Sequence, residues 1–191
     1  MRYREVWYVS FAHSLKQLSV DQIKMLPQEQ KKMILEKWKK LVWNENVQNV
    51  DQQLLNIRDL PEKIETRVPH WIMDRLKEGL DQYVKGRWLS SIVLCGAIVE
   101  FIAQHLTIKF RGRFPKGHHP PKRLSKLLKA LLKHEILSEE DFDLLDEIRE
   151  LRDKHVHLKK LGQDKKSLKT DNLRVLNNLL DYLSRCRVFS S

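Results

Sequence analysis

Residues 88–110 read WLSSIVLCGAIVEFIAQHLTIKF. Ile92, Cys95, Val99, Ile102 and Leu106 recur at spacings of three and four, the period of one helix face. Most of the remaining positions are apolar too, and a helix that is apolar nearly all round belongs in the middle of a bundle. The longest apolar stretch, 92–102, is broken by Gly96 and Glu100 and falls short of the roughly 20 residues that cross a bilayer. The stretch therefore predicts a central helix from about Trp88 to Phe110 in a soluble, mostly helical protein.

Reading outward, Ile72, Leu76, Leu80 and Tyr83 predict a helix from about His70 to Lys85, broken by Gly86. On the other side, 111–121 (RGRFPKGHHPP) is a loop by its glycine, proline and charge. A leucine-rich helix follows from about Lys122 to Glu135, carrying Leu124, Leu127, Leu128, Leu131 and Leu132. Ser138 ahead of Glu139, Glu140 and Asp141 is a helix start, an N-cap with acids in the first turn. That helix runs through Phe142, Leu145, Ile148 and Leu151 to about His155 or beyond. A basic turn at 159–168 contains Gly162, and Thr170 or Asp171 caps a last helix bearing Leu173, Leu176, Leu179, Leu180 and Leu183. The fold class is all-α: an up-down bundle of four to five helices over 66–191.

Residues 1–65 differ: they are rich in Gln and Asn and contain no Gly. Ser19-Val-Asp-Gln22 has the form of a capping box, and Pro27 suits the first turn of a helix reaching about Trp43. Met33, Ile34, Trp38, Leu41 and Val42 would be its apolar side, with Lys31, Lys32, Lys37, Lys39 and Lys40 opposite. Leu60-Pro61 and Val68-Pro69 mark boundaries. These residues read as a helical N-terminal extension packed on the bundle.

Composition agrees. The chain has 191 residues, 41% hydrophobic and 32% charged, which is globular rather than disordered. Only 6 Gly and 6 Pro disfavour an all-β fold with many tight turns. Cys95 and Cys186 both fall in apolar segments, so buried free thiols in a reducing cytoplasm are expected. The N-terminus, MRYREVWYVSFAHS, lacks the apolar core of a signal peptide. Trp7, Trp38, Trp43, Trp71 and Trp88 mostly fall on apolar faces and are expected to pack.

With 36 Lys+Arg against 25 Asp+Glu, the net charge is +11, which suits a polyanionic partner. The charge is blocked. From Lys109 to Lys133 nine cations (Lys109, Arg111, Arg113, Lys116, Lys122, Arg123, Lys126, Lys129, Lys133) stand without an acid, whereas 139–147 holds six acids. Further on come Lys154, Lys159 and Lys160. A solvated face paired with the acidic helix start would account for the pattern; a surface that follows RNA phosphates accounts for nine uncompensated cations better. His118-His119, with His105 and His134, has no carboxylate or cysteine at ligand spacing beside it, so no metal is expected. There is no Gly-rich phosphate loop, which excludes the usual nucleotide triphosphatase. No cofactor is implied.

The chemically suggestive segment is Leu151-Arg-Asp-Lys-His-Val-His-Leu158. Arg152 precedes His157 by five positions, about 140° around an ideal helix, so arginine's reach or fraying near Val156 is needed to bring them together. Arg149, Arg152 and His155 share one face, and Arg149 with His155 is a rival pair. Arginine's fork matches phosphate oxygens, and histidine moves protons near neutral pH. Together they suffice in principle for metal-free RNA cleavage, with Asp153 orienting either group. The plainer alternative is a helix-terminal cluster in which Arg and His favour the negative end of the helix dipole.

In this setting the stretch from Tyr83 to His157 resembles the HEPN domain (higher eukaryotes and prokaryotes nucleotide-binding). That family is a helical bundle with an Arg-x4-6-His motif late in the fold, often with a polar residue straight after the arginine. Arg152-Asp153-x3-His157 is similar to it, and Gly86 to Glu100 is similar to the helix before it. The resemblance covers about 70–187 and leaves 1–65 unexplained. It departs at Leu158, where the family often has a small residue. The resemblance implies a metal-independent endoribonuclease acting as a toxin, in antiviral defence or in RNA processing. It implies a homodimer with two motifs at one cleft, and a possible antitoxin or regulatory protein partner. It makes Arg152 and His157 the catalytic candidates, with Asp153 as the polar neighbour and His155 as the rival histidine. Other members of the family have lost catalysis and bind RNA or protein, and that alternative stays open. The role of Glu100 also stays open, toward the motif or plainly on the surface.

Overall fold

The central helix, here α5 (Trp88–Lys109), is 22 residues long, about 33 Å at 1.5 Å per residue. Ile92, Cys95, Ile98, Val99, Ile102, Ala103 and Leu106 are buried on it. It packs against α4 (His70–Val84), α6 (Leu124–Lys133), α7 (Glu139–Val156) and α8 (Lys165–Arg185). By length and composition alone α5 passes for a membrane span, contrary to the expectation from its interrupted stretch, but more than half of its apolar window is buried inside the bundle. The computed structural model describes residues 5–8, 15–41, 50–61, 63–66, 68–115, 120–156 and 165–186. The fold is an all-α bundle with a two-stranded ribbon attached.

Ahead of the bundle lie α1 (Val20–Met25), α2 (Gln28–Leu41) and α3 (Val50–Asp59). The expected capping box opens α1: Ser19 Oγ accepts from the Gln22 amide at 3.2 Å, and Gln22 Oε1 accepts from the Ser19 amide at 2.8 Å. On α2 the expected faces hold for Ile34, which packs on the core, and for exposed Lys32 and Lys37. The side chains of Trp38, Lys39, Lys40, Leu41 and Val42 lie outside the described residues, and two positions are corrected. Met33 is exposed, whereas Lys31 is buried beside Leu35. Lys31 reaches Asp51 of α3 at 2.7 Å and donates to the Lys24 carbonyl, so a paired ammonium takes an interior position. The expected helical extension is there in α1 to α3, with a strand pair that was not expected. Glu5–Tyr8 (β1) pairs antiparallel with Lys63–Thr66 (β2), in the register Glu5↔Thr66 to Tyr8↔Lys63. Short runs holding Val, Trp, Tyr, Ile and Thr favour a strand.

The expected boundary at residue 65 falls inside β2, which packs on α8. Buried residues from Leu15 to Cys186 form one hydrophobic cluster across it. Polar ties reinforce the join. Asn56 of α3, fully buried, donates to the Tyr83 and Val84 carbonyls at 3.2 and 3.0 Å, two of the last carbonyls of α4, which have no amide four residues on within the helix. Asp59 takes Lys169 of α8 at 2.7 Å.

Helix ends follow local chemistry. At the end of α4, Gly86 adopts φ +73°, its amide bonds Tyr83 O and that of Arg87 bonds Gln82 O, a Schellman cap. α6 closes in the same way around Glu135, at φ +53°. The helix therefore stops at Lys133, two residues short of the expected end. Ser138 caps α7 as expected, accepting from the Asp141 amide at 3.1 Å. The last helix begins at Lys165, earlier than expected, so neither Thr170 nor Asp171 caps it. Both cysteines are buried free thiols, and burial pushes Cys95 up to about 12. Trp71 departs from the packed expectation: it is exposed and meets Phe101 edge-on at 5.5 Å, whereas Trp88 is partly buried against the core. The side chains of Trp7, Trp38 and Trp43 lie outside the described residues.

Candidate functional site

The last turns of α7 carry the candidate chemistry. Arg152 turns toward α5, where its aliphatic stem lies over Gly96. Its Nε and Nη2 donate to Asp153 Oδ1 at 3.1 and 2.9 Å, and its Nη1 stands 3.8 Å from Glu100 of α5, beyond hydrogen-bond range. The guanidinium is thus held on one edge and partly open on the other. Arg149 stands behind it, paired with Asp146, Glu150 and the other oxygen of Asp153. The hydrogen bond that Arg149 donates to Asp146 is the main reason its pKa is raised. Asp153 therefore links the two arginines, and Glu100, which is exposed, faces the motif.

His155 goes elsewhere. Its side chain is 0% exposed, and Nε2 lies 2.8 Å from Asp171 of α8. Lys154 reaches the same carboxylate at 2.6 Å. Burial works against the Asp171 carboxylate, but the hydrogen bonds from Lys154 and His155 outweigh it and hold its pKa below the ordinary aspartate value. Arg149 and His155, the rival pair, are thus not brought together. Arg149 is held by its own helix's acids, and His155 is turned into the α7–α8 contact. His157 lies outside the described residues, directly after the end of α7 at Val156.

Among the candidate phosphate-binding residues, Lys109, Arg111, Arg113, Lys122 and Arg123 are exposed. Arg113 is tethered: Nη1 donates to the Glu135 carbonyl at 2.9 Å, and its guanidinium lies 5.3 Å from the Phe110 ring centroid. Lys109 Nζ lies 5.8 Å from the same ring centroid. Lys126, Lys129 and Lys133 are exposed on α6, opposite buried Leu124, Leu127, Leu128 and Leu131. Lys154 is engaged with Asp171. Lys116, Lys159, Lys160, His118 and His119 lie outside the described residues. His134 packs on Phe114 at 4.8 Å. Among the described residues no group of three or more His, Cys, Asp or Glu comes together as a metal would need.

Two participants escaped the sequence reading. Asp171 was assigned to a cap; once α8 starts at Lys165, it stands four residues before Val175 on the buried stripe, a lone acid on an apolar face. Gly96 is the other, and its signal was a glycine inside an apolar helix, where it costs about 1 kcal/mol against alanine and usually serves packing.

A family model for a domain of unknown function, DUF4145, matches residues 77–187, more than half of the chain. The chain belongs to the DUF4145 family. No curated protein and no solved structure matches it. The DUF4145 segment begins within α4 and runs through α8, so it contains Gly96, Glu100, Arg152 and Asp171 and leaves α1 to α3 outside.

Proposed function

We propose that this DUF4145 chain is a cytoplasmic, metal-independent endoribonuclease of HEPN type, with Arg152 and His157 as its catalytic pair. The observation that carries the reading is the guanidinium of Arg152, fixed by Asp153 at the end of α7 with its Nη1 edge open, five positions before His157. In the reaction the ribose 2′-oxygen bonds to phosphorus as the bond to the 5′-oxygen breaks. The products are a 2′,3′-cyclic phosphate and a 5′-hydroxyl. His157 takes the 2′-hydroxyl proton or gives one to the leaving oxygen, and Arg152 stabilises charge on the non-bridging oxygens. A phosphate oxygen would displace Glu100 from the open edge. His155, fully buried on Asp171, holds α7 to α8 and does not meet substrate. The exposed cations from Lys109 to Lys133 hold the RNA backbone.

A second copy of the chain is part of this reading. Leu89, Val93, Phe101 and Ile108 are exposed along α5, with Trp71 against Phe101 and Glu100 on the same side. An apolar stripe rimmed by polar groups is the kind of face that partners cover. It would set two Arg152 sites near one seam. A role as toxin or defence effector, restrained by a protein partner, follows from the family resemblance.

The test is RNA cleavage in EDTA by wild type, Arg152→Ala and His157→Ala. Cleavage by wild type alone, leaving cyclic phosphate ends, is expected, with each variant down by about 100-fold or more. Equal activity in either variant refutes the assignment. One observation favours a second reading, a non-catalytic RNA-binding module: Arg152 already has Asp153 and Glu100 as neighbours. That reading expects binding that weakens steeply with salt, and no product.

A further inference from the structure

We infer that Gly96 is a positioning residue: its missing side chain leaves the slot on α5 in which the Arg152 stem lies, so that the guanidinium sits on Asp153 and near Glu100. A methyl carbon built on Gly96 would stand 2.3 Å from Arg152 Cδ, 3.0 Å from Cγ and 3.4 Å from Cβ. The first distance is impossible for carbon atoms and the second is too tight, so the arginine stem would have to leave the slot. Only the Cβ contact is ordinary. Gly96 is itself buried, so the stem runs between two packed helices and not over open surface. A long side chain with several rotatable bonds is fixed here by a wall at its base and a carboxylate at its tip. Displacing the stem withdraws Nε and Nη2 from Asp153, because those bonds need the guanidinium edge at 3.1 and 2.9 Å. The slot accounts for a glycine in the interior of the central helix, where alanine is the better helix former. In function the inference rests on the ribonuclease reading above; in structure it stands without it.

A double-mutant cycle tests it, using the full chain as wild type, Gly96→Ala, Arg152→Ala and the pair. Alone, Gly96→Ala lowers the melting temperature by several degrees, since overpacking outweighs the gain in helix propensity. With Arg152→Ala in place only the ordinary Cβ contact remains, and the same substitution raises the melting temperature by about 2–4 °C. This reversal of sign is the expected result. Equal shifts in both backgrounds overturn the proposal. If Gly96→Ala does not fold, recovery of the fold in the double variant supports the slot, and failure of both variants overturns it.

Two further readouts separate positioning from mere packing. The Nε–H resonance of Arg152, assigned by its absence in Arg152→Lys, should shift or broaden away in Gly96→Ala; an unmoved resonance overturns the proposal. In cleavage, Gly96→Ala should lower kcat by about 100-fold with little change in KM, and the double variant should be no worse than Arg152→Ala. A sign reversal in melting with no cleavage by wild type refutes the ribonuclease and leaves the slot standing. Cleavage by wild type with full activity in Gly96→Ala refutes the slot alone.

Discussion

His155 and Asp171 meet across two helices because neither can be buried alone. An imidazole with no exposure needs a partner for its ring nitrogen, and an acid on an apolar stripe needs donors. Asp171→Asn is therefore expected to destabilise the fold by about 1–3 kcal/mol at pH 7, read from urea unfolding. The pH dependence has a definite sign. Because the folded pKa of Asp171 is lowered, its contribution is complete above the unfolded aspartate value of about 3.9 and is lost as pH falls through the lower folded value. The gap between wild type and Asp171→Asn should close as solutions are taken below about pH 3.9; a gap that widens on acidification contradicts the pairing. The motif itself was legible as a string. Which of its side chains face substrate was not, because His155 is claimed by a residue 16 positions away on another helix.

At the level of elements, the ends of α4 and α6 make a controlled comparison. Both close with a Schellman cap and a left-handed residue, Gly86 in one and Glu135 in the other. Glycine carries no penalty at that φ, whereas glutamate is strained by about 1 kcal/mol. Glu135→Gly should raise stability by about 0.5–1 kcal/mol in the same unfolding assay. The tether from Arg113 runs to the backbone carbonyl and survives the substitution, so no change would mean that the left-handed turn carries no strain for glutamate here. The comparison also shows why one helix end was read correctly and the other was not. Gly86 is a stop signal in the sequence, but a glutamate in a left-handed turn carries none. The starts of α1 and α7 were legible for the same reason that Gly86 was, since Ser19 and Ser138 act through bonds to residues three positions on. The start of α8 was misread because Asp171 looks locally like a cap, and only the neighbouring helix shows that it is turned inward.

Across the whole molecule, the segment ahead of the DUF4145 match is part of the same core. Asn56 satisfies two carbonyls at the end of α4 from outside the matched residues, and Asp59 holds Lys169 of α8. Asn56→Ala leaves those carbonyls buried without that donor and should cost about 1–3 kcal/mol, while unfolding stays a single transition by circular dichroism and tryptophan fluorescence. Two separated transitions would show that 1–65 folds as its own unit.

By itself the sequence determined the all-α class, the five bundle helices, the central place of α5 and the basic face of α6. Each of these is written in periodicity, in caps or in charge within a few turns of chain. Only the tertiary structure decided that β1 pairs with β2 across more than fifty residues, that Lys31 is interior and that Asp171 serves His155. It alone decided that Gly96 makes room for Arg152. Those choices depend on which groups must share a buried space, and burial is a property of the packed chain rather than of any window along it.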